Sequence, residues 1–251
     1  MYQQSFQADD PSWHRLMDAL PRLVAEAASL EQAAQAVCRE LYSAFAATTA
    51  LVRMYAIVPL GGLPAELRDW LHGRVVVPGD GARFSPDVPV LALLGSYGAE
   101  PAWCSRHQSQ RHRAIPLVSA AFVHTIPMLA SLLKELGIPL DWLNDHNAVS
   151  TRLLIGGFNG VFFVEDAATA EDSLGRLVIP DRDFVSQAQV KTVFGFGGVY
   201  PDGTAVVAIV FTRERLQRED VQPLSRLISV FKGQSVSLIL QRRLFATPTA
   251  R

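Results

Sequence analysis

The stretch VKTVFGFGGVYPDGTAVVAIVFT, residues 190–212, decides the fold. Val190–Tyr200 and Thr204–Thr212 are apolar runs rich in β-branched and aromatic residues, and Pro201-Asp202-Gly203 separates them. Asp-Gly between two such runs signals a β-hairpin, because both residues accept the positive φ angles that a tight turn demands. On the C-terminal side, Arg218–Phe245 changes to helical spacing, with Val221, Leu224, Leu227, Ile228, Phe231, Val236, Leu238 and Ile239 as its apolar surface.

Upstream of the hairpin the signals are shorter. Gly156–Gly160 reads as a turn, Val161–Val164 and Leu177–Ile179 as short strands, and Asp181–Ala188 as one or two helical turns. Near the N-terminus, Leu16, Leu20, Leu23, Ala27, Leu30, Ala34, Val37, Leu41 and Phe45 recur at three- and four-residue steps across Asp10–Ala46. Ser12 is the expected N-cap, and Pro21 and Ser29–Glu31 are expected to divide the helical stretch. Ser29 with Gln32 suggests a capping box. Thr48–Val58 reads as a strand with Arg53 in its middle. Pro64–His72 suits a short helix, Gly73–Ser85 an irregular segment, and Val88–Leu94 a strand stopped by Gly95. Ser96–Arg113 reads as a long polar loop, the kind that often carries function. Phe122–Leu136 returns to helical spacing, with Pro127 in its first turns or at a kink, while Leu140–Ile155 fits more than one state.

Composition bounds the function. Of 251 residues, 49% are hydrophobic and 19% charged, which is ordinary for a globular protein with a real core. The 23 Lys and Arg residues nearly cancel the 24 Asp and Glu residues, so no basic excess points to nucleic acid. Met1–Pro11 is polar and acidic, unlike a secretory leader, and no apolar run reaches the roughly 18 residues of a membrane helix. Cys38 and Cys104 form no disulfide framework, so a reducing cytoplasm is the expected location.

The closing hairpin followed by Arg218-Glu219-Asp220 and a long helix resembles the end of a GAF domain. Ser29–Phe45 followed by Thr48–Ile57 resembles its entry helix and first strand. Ala114-Ile115-Pro116-Leu117, Thr125-Ile126-Pro127-Met128 and Val193-Phe194-Gly195-Phe196-Gly197 resemble a sensor subgroup found ahead of histidine kinases. The resemblance covers both ends of the chain, and residues of about 60–155 depart from it as an insertion. It implies one enlarged α/β (α+β) domain over residues 1–251, built on a central antiparallel sheet. The N- and C-terminal helices would cover one face and the inserted segment the other. It further implies a bacterial, non-enzymatic sensory module that binds a small molecule. Its C-terminal helix, 218–245, would signal to an output domain in a two-component system. Apolar residues on both faces of that helix suggest a homodimer.

Trp103-Cys104-Ser105-Arg106-His107 and Arg111-His112-Arg113 form the one dense polar cluster. Its arginine forks suit a carboxylate or phosphate. Alternatively, His107 or His112 could ligate haem iron or another metal in a gas or redox sensor, though Cys104-x-x-His107 has no second zinc pair. A solvated loop in an arginine-rich chain is the competing account. Cys104 beside Arg and His is also a redox candidate, and with His107 or His112 it could serve a Cys-dependent hydrolase or transferase. The expected ligand pocket comprises Trp103, Arg111, His112, His124, Met128, Phe162 and Phe196. Cys38 reads as core, and Glu165-Asp166 as a solvated strand end.

Overall fold

A computed structural model describes residues 5–73, 85–144 and 160–246. The first helix, α1 (Pro11–Ala25), starts at Asp10 rather than Ser12: the Asp10 carboxylate accepts from the Ser12 amide at 2.7 Å. Pro11 then occupies the first helical position, where a missing N–H costs nothing. Pro21 lies inside α1 without ending it. The break comes at Ser29, whose hydroxyl accepts from the Gln32 amide at 3.2 Å and starts α2 (Leu30–Ala44). Gln32 answers by accepting from the Ala28 amide.

The sheet has six strands, β1 (Thr49–Pro59), β2 (Pro89–Gly98), β3 (Ala114–Pro116), β4 (Val161–Val164), β5 (Thr192–Val199) and β6 (Ala205–Thr212), all in antiparallel pairings. Their spatial order is β3-β2-β1-β6-β5-β4. The β5–β6 hairpin forms in the expected place, with Gly203 at φ 87° in its turn. The β2 strand does not stop at Gly95. It runs on to Gly98 past an irregularity in its pairing with β1 beside Met54 and Tyr55. Gly95 marks a crossing instead: a Cβ there would sit 2.7 Å from the backbone of Ala34 and Gln35 in α2. Leu177 makes one isolated bridge to Glu171, not a strand.

Strand alternation sorts side chains onto two layers. Val52, Met54, Ala56 and Val58 of β1 join Phe194 and Phe196 of β5 beneath α1, α2 and α8 (Arg226–Leu240). Leu51, Tyr55 and Ile57 join Phe162, Val193 and Ile209 on the opposite face. That face is covered by α4 (Ala120–His124), α5 (Pro127–Glu135) and residues around α6 (Arg182–Gln187). The single helix expected over Phe122–Leu136 is thus two, because Pro127 takes the first position of α5. The helix expected over 218–245 is also divided. A capped turn, α7 (Arg218–Val221), leads through a 3-10 turn containing Pro223 into α8, and Arg242 at φ 56° follows its end.

Leu227, Ile228, Phe231, Leu238 and Ile239 of α8 are buried within the chain, and Leu240 is its exposed large apolar residue. The apolar excess that suggested pairing of two copies is therefore mostly absorbed by α1 and the sheet. Among the described residues, no helix is long and apolar enough to cross a membrane. The expected turn at Gly156–Gly160, apart from Gly160, and most of Leu140–Ile155 lie outside the described residues, as do most of Gly73–Ser85 and the tail beyond Ala246.

Two glycines should respond in opposite directions to alanine. Gly95→Ala should lose about 1–3 kcal/mol, the usual cost of overpacking, because its new methyl meets backbone. Gly233→Ala in α8 meets nothing within 4 Å. It should gain up to about 1 kcal/mol, the helix-propensity difference between the two residues. Urea unfolding of the two variants measures both changes.

Candidate functional site

Strand β1 lies inside the sheet, and Arg53 lies on its face opposite the terminal helices, across from Ser96 on β2 and Ile209 on β6. Only 8% of Arg53 is exposed. Its guanidinium donates to the Tyr55 hydroxyl at 3.2 Å and to Ser109 Oγ at 3.1 Å. Arg53 Nε has no hydrogen-bond partner, and among the described residues no carboxylate forms an ion pair with it. Tyr55 is two residues along the same strand, so alternation places both polar heads on one face. A buried cation without a counter-ion is costly, which makes it informative.

The segment from Cys104 to Arg113 covers this site and is fastened on several sides. Ser109 accepts from Arg53 and donates to the Arg111 carbonyl at 2.9 Å. Arg111 pairs with Asp181 at 2.6 Å, and the same carboxylate caps α6 by accepting from the Phe184 amide. Toward the helices, Gln35 of α2 donates to the Ser96 and Cys104 carbonyls. Arg106, 3% exposed, pairs with Glu31 of α2 at 2.5 Å and with Glu66 of α3 (Ala65–His72) at 2.7 Å. Glu31 also accepts from the Ala246 amide at 2.9 Å, and its own amide donates to the Leu244 carbonyl. The chain beyond α8 is thereby tied to the start of α2. One segment thus touches the polar floor of the sheet and the junction of the terminal helices.

The residues expected to form the pocket do not all converge. Trp103 is half-buried on the Arg53 side, and its ring meets Phe184 edge-on at 5.5 Å. Its carbonyl accepts from Ser96 Oγ. Arg111 is exposed at the rim, while Met128 and Phe162 belong to the apolar layer on that side. Phe196 does not: it packs against Phe194 beneath the terminal helices, because its position on β5 faces them. His124 is exposed at the end of α4, and its carbonyl, not its ring, makes the contact to Arg176.

Of the metal candidates, His107 has its ring nitrogens 3.2 Å from Glu31 and 3.7 Å from Glu66. That geometry commits the imidazole to carboxylates. No group of three or more His, Cys, Asp or Glu among the described residues is arranged to hold a metal ion. The Cys104 thiol lies within hydrogen-bonding reach of the Gly98 and Glu100 carbonyls, so it is engaged with backbone rather than with a histidine base. Cys38 is core, and burial pushes its thiol well above the usual range. Asp166 caps a turn through Ala168 and pairs with Arg215 at 3.2 Å, in keeping with a solvated strand end. These two residues also border an open groove of about 420 Å3 near Lys191, away from Arg53.

Arg53 was visible as a charge inside an apolar strand, and that was its signal. A charged side chain in an interior strand must be answered within the fold or by a ligand. The periodicity of Thr48–Val58 alone does not say which face is polar.

His112 stands at the rim in the left-handed region, at φ 57°, with part of its surface in solvent. Protein crowding its ring, and then the Arg53 and Arg111 charges, lower its pKa from 6.5 to about 4, against a smaller opposing effect of Asp181. It is therefore neutral through the physiological range. Unfolding restores the higher affinity for protons, so the unfolded chain binds more protons between these two values. Stability should fall as pH drops from 6.5 toward 4, with no further loss from this group below that. His112→Asn, which tolerates positive φ, should remove this part of the slope. Thermal unfolding across pH, with the imidazole titration followed by NMR, checks the sign.

No protein-family model matches the chain, and no curated protein matches it. Solved structures with a similar chain path include a free methionine-R-sulfoxide reductase from Neisseria meningitidis in complex with its substrate, at 12% identity and a TM-score of 0.47. That alignment covers 96% of this chain and 99% of the other. The phycoerythrobilin-bound GAF domain of a cyanobacterial phytochrome aligns at 13% identity and a TM-score of 0.43, over 92% and 94% of the two chains. The chromophore-binding domain of a bacteriophytochrome from R. palustris aligns at 10% identity and a TM-score of 0.45, over 91% of this chain and 62% of that one. The six antiparallel strands, with the terminal helices on one face and α4, α5 and α6 on the other, give the layered α+β arrangement that the resemblance implies.

Proposed function

We propose that this chain is a small-molecule-binding sensory domain, in which a ligand at the Arg53 face alters the junction of the terminal helices. The observation that carries the reading is the double attachment of residues 104–113. Ser109 holds the segment to Arg53 on one side of the sheet, and Arg106 holds it to Glu31 on the other. Glu31 in turn holds Ala246. A ligand that draws Ser109 or His112 toward itself would pull on Arg106 within the same segment. The ligand acts by preferring one arrangement of this segment, because equal affinity for both arrangements would shift nothing.

The link to the helices is strong enough to matter. Glu31 and Arg106 are both buried, and removing one partner of such a pair costs about 3–5 kcal/mol. An output domain such as a histidine kinase, reached through α8, completes the proposed role. Pairing of two copies through α8 would use Leu240 with the half-buried Val230 and Val236.

Absorption and native mass spectra of freshly purified protein, against the denatured sample, should reveal a bound molecule that leaves on unfolding. A Soret band would assign haem. Hydrogen exchange should then differ between loaded and stripped protein at the amides of Leu30, Glu31 and Ala246, which bridge the two termini. Identical exchange in the two states would refute the coupling.

A further inference from the structure

We propose that Arg53 and the Tyr55 hydroxyl form a built site for a small anionic group, a carboxylate or a phosphate, with His112 at its rim. This inference rests on the sensory reading and names the ligand chemistry that the same site would take.

The argument begins with what an interior strand tolerates. Leu51, Val52, Met54, Ala56 and Ile57 around Arg53 are apolar and buried, as such a strand requires. Arg53 is buried to nearly the same degree but brings a full positive charge that cannot be discharged by losing a proton. The chain elsewhere answers its buried guanidinium at Arg106 with two carboxylates, Glu31 and Glu66. At Arg53 it supplies two hydroxyls, which solvate the charge without neutralising it.

The hydroxyls also have directions. Ser109 Oγ accepts from Arg53 and spends its proton on the Arg111 carbonyl. Tyr55 accepts from Arg53, which leaves its own proton to donate. Arg53 Nε is a second donor without an acceptor. Two donors and a net positive charge on one face are complementary to an oxygen anion. Asp181 is the nearby acid, and its charge is taken by Arg111 at 2.6 Å. His112 is exposed to solvent and near enough for the Arg53 charge to act on its ring, so we take its side as the approach for the anion.

Thermal unfolding of the full chain in sodium acetate, in sodium phosphate and in sodium chloride at matched ionic strength provides the test. The parent should melt higher by roughly 2 °C or more in acetate or phosphate than in chloride. Which of the two acts distinguishes a carboxylate from a phosphate. Arg53→Met, of similar length and without charge, should lose that difference, and Ser109→Ala, which keeps Arg53, should retain a good part of it. Far-UV circular dichroism confirms that each variant is folded.

Equal melting of the parent in all three salts would overturn the proposal. So would a shift that Arg53→Met retains, which would mean an adventitious ion only. The native mass spectrum separates this failure from failure of the broader reading. An uncharged bound molecule together with no anion response would refute the anion site and leave the sensory role standing. An empty protein without any anion response would count against both.

Discussion

Burial of β1 along both faces is the constraint on which the other features depend. Nearly every residue from Ala50 to Val58 is removed from water, so each side chain must be answered by a layer above or below the sheet. One parity is apolar and receives α2 and the helices beside it. The other parity contains Arg53 and Tyr55, and neither can be dissolved in hydrocarbon. The segment 104–113 answers them, with Ser109 as its contact. Site and helix layer are therefore opposite sides of the same strand.

The second organising interaction is the buried cluster at the other end of that segment. Arg106, Glu31 and Glu66 come from three places far apart in sequence, and Phe245 lies 5.7 Å below the Arg106 guanidinium. A buried pair is poor evidence for net stability, because desolvation offsets much of the attraction. It is good evidence for a unique arrangement, since a shifted segment would leave charges stranded. The contrast with Arg53 follows. One buried arginine is paired with two carboxylates that join distant segments, and the other is held by two hydroxyls.

The corrections to the expected pocket have related causes. Phe162 and Phe196 are both large aromatics on neighbouring strands, but they lie on opposite faces of the sheet. Antiparallel register decides this: Phe162 stands opposite Gly195, and Phe196 opposite Val161. Arg106 and Arg111, five residues apart in one polar loop, likewise diverge to α2 and to α6. A loop has no fixed periodicity, so composition alone could not sort its side chains.

The amino-acid sequence by itself determined the local elements: the Asp202-Gly203 hairpin, the Ser29 cap, the buried strand around Arg53 and the two-ended resemblance to a GAF domain. These depend on turn geometry, hydrogen bonding within a few residues and short-period alternation, all of which are encoded nearby. Gly95 shows where that reading stops. Its missing side chain looks like a strand end, yet its cause is a helix some 60 residues upstream crossing the backbone. Only the tertiary structure decided which face of the sheet each parity meets, which arginine finds carboxylates, and which finds none among the described residues. Those outcomes depend on packing between distant segments, and no local pattern of residues contains them.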